Sequence, residues 1–337
     1  MTWEDTQIEK AMQSRLLSGN VISTSLGQSL WGGYLVARHR LVEEILTEIK
    51  AIEGSLTDHG PAHIVNVLEN MHSLLEKDYE RIDDIELYVL CLLALFHDVG
   101  NIHGRKGHYD RNVIYKIYDY VRNSDSRYDA EKVIVAQLAS AHSGKASDGS
   151  HDTINELSNQ KIGFYNKGID GRKLSAILRL ADELAEGPQR TSNFMLIHHK
   201  YKTKSEIFHK YAKCKYVFID KGNDRIALTY RLKLTTKNGK LSSTDINETK
   251  ELLEYIYMRI LKVNQERLYN KFYCNILTAF KILSVSIEFE IDGKPIDLNL
   301  KDLIITDLQV PGEKHKLITE YDKSYEVSKI ISALKKK

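Results

Sequence analysis

Histidine and aspartate side chains crowd the first half of the sequence in a pattern suited to binding a metal ion. Eight of the 13 histidines lie between residues 59 and 151. The densest stretch is Leu95–His108, where His97, Asp98, His103 and His108 follow a strongly apolar run. Imidazole and carboxylate ligands without a thiolate suit Mn²⁺, Fe²⁺, Mg²⁺, Ni²⁺ or Zn²⁺. A divalent cation held by such groups can activate water for hydrolysis.

Three more side chains stand where an unpaired polar group would be costly. His63 lies on the apolar face of one predicted helix, His142 ends a second, and Asp182 interrupts a third. Taken singly, each has a simpler interpretation, such as a satisfied core histidine, a helix cap or an ion-paired aspartate. A buried polar group without a partner costs about 1–3 kcal/mol, and a shared cation would satisfy all of these groups together.

Hydrophobic periodicity predicts that helices position these residues. Ile85–Phe96 is apolar nearly all round, which indicates a central buried helix that ends before Gly100. Pro61 stands at a typical first-turn position of the preceding helix. The other predicted helices are Trp31–Ile52, His108–Val121, Glu131–Ala141 and Lys173–Ala185.

The pattern changes after about Thr191, where alternating apolar residues predict strands. The predicted strands are Lys215–Ile219, Arg225–Thr235 and Leu283–Ile291. The predicted helices of this part are Ile246–Leu277 and the basic C-terminal Tyr325–Lys337. The sequence therefore predicts a mainly α protein, with an all-helical first part and a smaller α+β second part.

Composition narrows the cellular setting and the partners. The chain has 337 residues and a formal net charge of +2, which gives no overall attraction to nucleic acid or to acidic membranes. Cys91, Cys214 and Cys274 are far apart and odd in number, as expected for a reducing compartment. The start of the chain is polar, and the run Leu87–Phe96 is too short to span a bilayer. We therefore expect a cytoplasmic protein without a membrane partner.

The order and spacing of the motifs resemble the HD-domain superfamily of metal-dependent phosphohydrolases. The motifs are His63-x-x-x-Val67, His97-Asp98-x-Gly100 and Arg179-Leu-Ala-Asp182. The resemblance implies an HD-type domain over residues 55–195. Helices in residues 1–54 would pack on its core, and residues 196–337 would form a C-terminal α+β domain.

The resemblance also implies a ligand set for one or two divalent metal ions. The first ion would be held by His63, His97, Asp98 and Asp182. His108 and His142 match the two extra histidines of those branches of the superfamily that hold a second metal. Asp98 is the natural bridging ligand, because a carboxylate can offer one oxygen to each ion.

Candidate residues for catalysis and substrate binding surround these ligands. His59 and His103 are candidates for orienting a ligand or for protonating the leaving group, beside the central Asp98. The basic candidates for contacting a substrate phosphate are Arg105, Lys106, Lys145, Arg179 and Arg190. Many family members have lysine after HD-x-Gly, whereas this sequence has Asn101, which puts that phosphate contact in question.

The resulting prediction is a metal-dependent phosphohydrolase acting on a nucleotide or another small phosphorylated molecule. A nucleotide-binding sensor that signals through the C-terminal domain is an alternative. A metal-dependent nuclease is another, although the balanced charge and the lack of a basic aromatic stripe disfavour a nucleic-acid partner. The tyrosine-rich segment Glu251–Tyr273 either packs within its own domain, or forms an interface in a homo-oligomer or a lid over the site.

Overall fold

The computed structural model describes residues 3–19, 22–52, 57–104, 107–307 and 316–337. Two units can be distinguished by their internal contacts. The first contains residues Met1–Gly54, Asp58–Ala185 and Asn270–Thr278. The second contains residues Ser55–Thr57, Glu186–Tyr269 and Ala279–Lys337. The described residues are mainly α-helical, as the sequence predicts.

Helices make up most of the first unit. They are α1 Gln7–Leu17, α2 Thr24–Arg40, α3 Thr47–Ile52, α4 Pro61–Leu75, α5 Asp84–Phe96, α6 Arg111–Val121, α7 Asp129–Ser140 and α8 Gly171–Leu184. A π-helical segment, Leu41–Leu46, joins α2 to α3, and short 3₁₀ segments occupy Glu76–Arg81, Val99–His103 and Ser126–Tyr128. Each helix predicted for this region is present. The helix predicted from His108 begins three residues later, at Arg111.

The α5 helix is the centre of the first unit, as its apolar composition predicts. All 13 of its residues are buried, and it packs against α1, α2, α4, α7 and α8. Asp83 and Glu86 form a capping box at its start, which satisfies free backbone N–H groups. The stretch Asp84–His103 is long and apolar enough to cross a membrane, but 94% of its most apolar window is buried inside the protein, as in a core helix.

A buried charged network holds α7 in place against α5 and the end of α6. Arg122 pairs with Glu131 of α7 at 2.5 Å between Nη2 and Oε1. Tyr88 of α5 donates a hydrogen bond to the other carboxylate oxygen of Glu131 at 2.7 Å. Buried charges are tolerated when they are paired in this way. The network fixes the helix whose C-terminal end precedes His142.

The first unit differs from the all-helical prediction at one hairpin. Strands β1 Ile162–Phe164 and β2 Lys167–Ile169 pair antiparallel. Tyr165 and Asn166 between them have φ angles of 48° and 60°, as in a type I′ turn. Three-residue strands are too short to show the alternation that predicts a strand, so the prediction of an all-helical domain is wrong here.

Residues Asn270–Thr278, distant in sequence, complete the first unit. The hydroxyl of Tyr273 donates a hydrogen bond to Oδ1 of Asp152 at 2.6 Å. The guanidinium of Arg172 lies 5.8 Å from the centre of the Tyr273 ring. The predicted domain boundary at residue 195 leaves this segment out.

The second unit is built around a small mixed sheet. Its helices are α9 Asn193–Ile197, α10 Thr203–Cys214, α11 Ser243–Tyr273, α12 Ile318–Tyr321 and α13 Val327–Leu334. Its strands are β3 Lys215–Asp220, β4 Arg225–Leu234, β5 Ile282–Ile291, β6 Lys294–Ile296 and β7 Leu303–Thr306. The first two predicted strands correspond to β3 and β4, which pair as an antiparallel hairpin. The β4 and β5 strands pair in parallel, with α11 between them in sequence, as parallel neighbours require.

Candidate metal centre

Helix ends in the first unit bring six predicted ligands together. His63 lies in the first turn of α4, and Asp182 in the last turn of α8. His97 and Asp98 follow α5 directly, His108 precedes α6, and His142 follows α7. The ligand atoms fall into overlapping groups within which they lie no more than 4.8 Å apart. Residues that span 120 positions of sequence therefore form one cluster.

One group of atoms surrounds Nε2 of His63. This nitrogen lies 3.3 Å from Nε2 of His97 and 3.1 Å from Oδ1 of Asp182. It lies 3.2 Å from Oδ2 of Asp98. Two imidazole nitrogens and two carboxylate oxygens thus face one point.

A second group of ligand atoms lies around Oδ1, the other carboxylate oxygen of Asp98. Nε2 of His108 lies 2.6 Å from Oδ1 of Asp98. Nε2 of His142 lies 3.2 Å from Nε2 of His108 and 3.9 Å from the same carboxylate oxygen. Asp98 therefore presents one oxygen to each group, as a bridging ligand would.

These separations fit the coordination of divalent cations. Two imidazole nitrogens bound to one cation at about 2.0–2.1 Å, at angles between about 90° and 109°, are about 2.8–3.4 Å apart. The His63–His97 and His108–His142 separations, 3.3 Å and 3.2 Å, fall within this interval. The donor set and its spacing both match a centre for one or two metal ions.

Backbone carbonyls orient two of the imidazoles. Nδ1 of His97 lies 2.9 Å from the carbonyl oxygen of Ala94, and Nδ1 of His142 lies 2.5 Å from that of Ala139. A carbonyl oxygen only accepts, so each Nδ1 carries the hydrogen and donates it. When the imidazole is neutral, its Nε2 keeps a lone pair directed into the cluster, the arrangement that supports metal binding. Both histidines thus donate to a backbone carbonyl in the last turn of a helix.

The charges in the cluster shift the pKa values of its members. Burial would raise the pKa of Asp98, but neighbouring imidazoles, with His97 the strongest, hold it well below its usual value. Burial would lower the pKa of His97, but the charge of Asp98 and the hydrogen bond with Asp182 raise it to about 10. Burial, together with the charges of His108 and His97, lowers the pKa of His142 to about 3.

These shifts predict that metal binding at pH 7 releases about one proton from His97. A ligand imidazole must be neutral, and with a pKa of about 10 His97 carries a proton at pH 7 before the metal binds. His142, with a pKa of about 3, is already neutral and releases none. Titration calorimetry in buffers of different ionisation enthalpy measures the release. An enthalpy independent of the buffer would contradict the prediction.

A close backbone contact places His108 beside Asp98. A Cβ atom at Gly100 would lie 2.1 Å from the carbonyl oxygen of Gly107 and 2.6 Å from that of His108. A Cβ atom at Gly107 would lie 2.8 Å from the carbonyl oxygen of Gly100. The turn after α5 and the loop before α6 therefore cross at two glycines. The sequence predicts Gly100 only as a helix end, and no local pattern indicates its contact with Gly107.

We expect Gly100→Ala to push away the loop that carries His108. Overpacking of this kind costs about 1–3 kcal/mol in the free energy of unfolding, and the second metal position should lose a ligand. Denaturant titration and metal analysis check the two effects. Gly32→Ala is the matched control, because a Cβ atom there meets nothing within 4 Å. Unchanged metal content and stability in Gly100→Ala would contradict this account.

The two further catalytic candidates occupy different positions. Nδ1 of His59 lies 2.7 Å from Oδ2 of Asp98, so His59 either orients this carboxylate or joins the ligands, as its grouping with His63 allows. His103 is exposed. Among the described residues, His103 belongs to none of the clustered ligand groups.

The structure describes three of the five predicted phosphate-binding residues, and two of these, Lys145 and Arg179, lie in the first unit. Arg179 is largely buried, and its Nη1 donates hydrogen bonds to the backbone oxygen of His151 and to Oγ1 of Thr153. These hydrogen bonds hold the loop after α7. Lys145 in that loop is exposed.

Arg190 belongs to the second unit, where it is buried and lies 3.5 Å from Glu186. Arg105 and Lys106 lie outside the described residues.

Asn101, which stands where many family members have lysine, lies in the interior of the first unit. Its side chain is fully buried. Neither polar atom of its amide has a hydrogen-bond partner among the residues that the structure describes. The side chain therefore offers no exposed group to take the place of a phosphate-binding lysine.

Comparison with known proteins gives one match. The model of the family described as HD-CE matches residues 53–261, an HD-type family in agreement with the resemblance seen in the motifs. This match begins near the predicted domain start and extends past residue 195. No curated protein and no solved structure matches the chain. Since the family match covers more than half of the 337 residues, the chain belongs to the HD-CE family.

Proposed function

We propose that this protein is a metal-dependent phosphohydrolase that cleaves a phosphoester of a nucleotide or a related small phosphorylated molecule. The observation that carries the proposal is the position of Asp98. Its Oδ1 lies 2.6 Å from Nε2 of His108, and its Oδ2 lies 3.2 Å from Nε2 of His63. One carboxylate shared between two sets of imidazoles is the arrangement expected of a two-metal hydrolytic centre.

The protein residues would hold the ions and leave one side of the centre open. The side chains of His63, His97 and His142 are fully buried. His108 is 12% exposed and Asp182 is 26% exposed, so these two mark the side that a substrate can reach. Divalent cations at such a centre activate water and polarise a phosphoryl oxygen.

Two neighbouring side chains would support the reaction. His59 is 12% exposed, and its Nδ1 contacts Asp98, so it can hold this carboxylate in its shared orientation. Lys145 follows His142 by three residues and is exposed. Its ammonium group would attract the phosphate of the substrate.

A metal analysis combined with a phosphate-release assay tests the proposal. The purified protein should hold one or two equivalents of a divalent metal. With Mn²⁺ it should release phosphate from at least one member of a panel of nucleotides and sugar phosphates. A protein that retains no metal after incubation with each divalent cation would overturn the proposal.

The same assay separates the alternatives. Tight nucleotide binding without turnover under every metal would favour the sensor. Degradation of single-stranded DNA or RNA, without turnover of mononucleotides, would favour the nuclease.

A further inference from the structure

An exposed aromatic side chain lies next to a predicted ligand of the metal centre. Tyr109 directly follows His108 and is 42% exposed. Its ring centre lies 6.1 Å from that of His108, with the two planes at 70°. The imidazole of His108 reaches Asp98, so the tyrosine adjoins the centre on the side where His108 is itself accessible.

The ring of Tyr109 is held by the loop that follows the other ligand of this group. A Cβ atom at Gly144 would lie 2.9 Å from Cδ2 and Cε2 of Tyr109, so only glycine lets the ring pack this closely against the backbone. Gly144 also has a φ of +97°, which side chains rarely adopt. Gly144 follows His142 by two residues, and Tyr109 follows His108 by one. Both residues of this contact are therefore close in sequence to a metal ligand.

Hydrogen bonds hold the loop that contains Gly144. Nδ1 of His151 donates a hydrogen bond to the carbonyl oxygen of Gly144 at 2.7 Å. Arg179 in α8 donates to the carbonyl oxygen of His151 and to Oγ1 of Thr153. An exposed tyrosine by itself is ordinary. Tyr109, in contrast, is held between two fixed backbone segments. Its side chain therefore loses little conformational entropy when a ligand binds.

We propose that Tyr109 stacks the base of a nucleotide whose phosphate lies at the metal centre. This inference rests on the proposed function and narrows its substrate class to phosphoesters that carry a planar ring. Every base presents a π-face, so a tyrosine ring accepts bases with little sequence preference. Lys145 is exposed, follows Gly144 directly and would contact the phosphate. Tyr109 and Lys145 would thus bind the two ends of a nucleotide.

The test compares two probes that differ only in the base. Adenosine 5′-monophosphate and ribose 5-phosphate are titrated against protein loaded with Ca²⁺ or Mn²⁺, and KM and kcat are measured for each probe that is turned over. The wild type should bind the nucleotide more tightly than the sugar phosphate. Tyr109→Leu should weaken nucleotide binding by about 5- to 150-fold and leave sugar phosphate binding unchanged.

Two further variants make the result specific. Tyr109→Trp should restore nucleotide binding, because indole also stacks. Phe272→Leu, which alters an aromatic residue that is 80% exposed, should change neither probe. Metal content measured on each variant shows that the centre is intact.

The outcomes also separate this inference from the proposed function. Equal weakening of both probes in Tyr109→Leu, no weakening of either, or equal affinity of the wild type for the two probes would overturn the stacking role. Base-dependent binding without any phosphate release would uphold it while removing the hydrolase assignment.

Discussion

Asp98→Asn should remove both metal positions at once and lower any metal-dependent activity by at least about a thousandfold, since several kcal/mol of charge stabilisation would be lost. Asparagine keeps the shape of aspartate but loses its charge. One of its two polar ends becomes an NH₂ donor, which cannot bind a cation. The two oxygens of Asp98 contact different imidazole groups, so one group loses a ligand and the other keeps only a neutral carbonyl oxygen in place of a carboxylate. Metal analysis by mass spectrometry and the phosphate-release assay measure the effect.

Two variants control for this result. His142→Ala removes a ligand near only one oxygen of Asp98, and we expect it to keep one equivalent of metal. Asp129→Asn alters a carboxylate that is 63% exposed on α7 and should keep the full content. If Asp98→Asn retained two tightly bound equivalents, the shared-carboxylate arrangement would be wrong.

Metal binding should also raise the melting temperature of the first unit strongly. The ligands come from α4, α8 and three segments beside α5, α6 and α7, so the unfolded chain cannot present them together. A ligand that binds only the native state, at a thousand times its Kd, adds about 4 kcal/mol to the free energy of unfolding. For a domain of about 150–250 residues this corresponds to roughly 8–16 °C.

Differential scanning calorimetry with and without Mn²⁺ measures this shift, and a chelator should reverse it. Asp98→Asn should show little or no metal-dependent change, because its centre is incomplete. A shift of equal size in that variant would place the stabilising metal elsewhere in the protein.

Much of the candidate site could be predicted because each ligand stands beside a local signal. Pro61 marks the start of the helix that carries His63. The uniformly apolar α5 could only be a buried helix, so His97 and Asp98 at its end had to enter the interior. A polar side chain in a buried place needs a partner. That physical requirement predicts that these side chains lie near one another, as they do in the structure.

The remaining features depend on contacts between distant segments. No local pattern shows that Gly100 and Gly107 touch, although their contact sets the position of His108. The sequence predicts a phosphate contact for Arg179, but no local pattern shows its hydrogen bond to the backbone oxygen of His151. The parallel pairing of β4 with β5 spans the whole of α11, and periodicity cannot reveal the partner of a strand.

The residues Asn270–Thr278 have a consequence for how the metal-binding unit forms during synthesis. They include Cys274, Ile276 and Leu277, which are buried, and Tyr273, which binds Asp152. When the ribosome has translated Asp182, the last of the six ligands, residues Asn270–Thr278 of the same unit are therefore still missing from the chain. Domains generally fold as units, N-terminal ones first, during translation. This one must wait for residue 278, and a fragment ending at residue 195 would stay permanently at that unfinished stage.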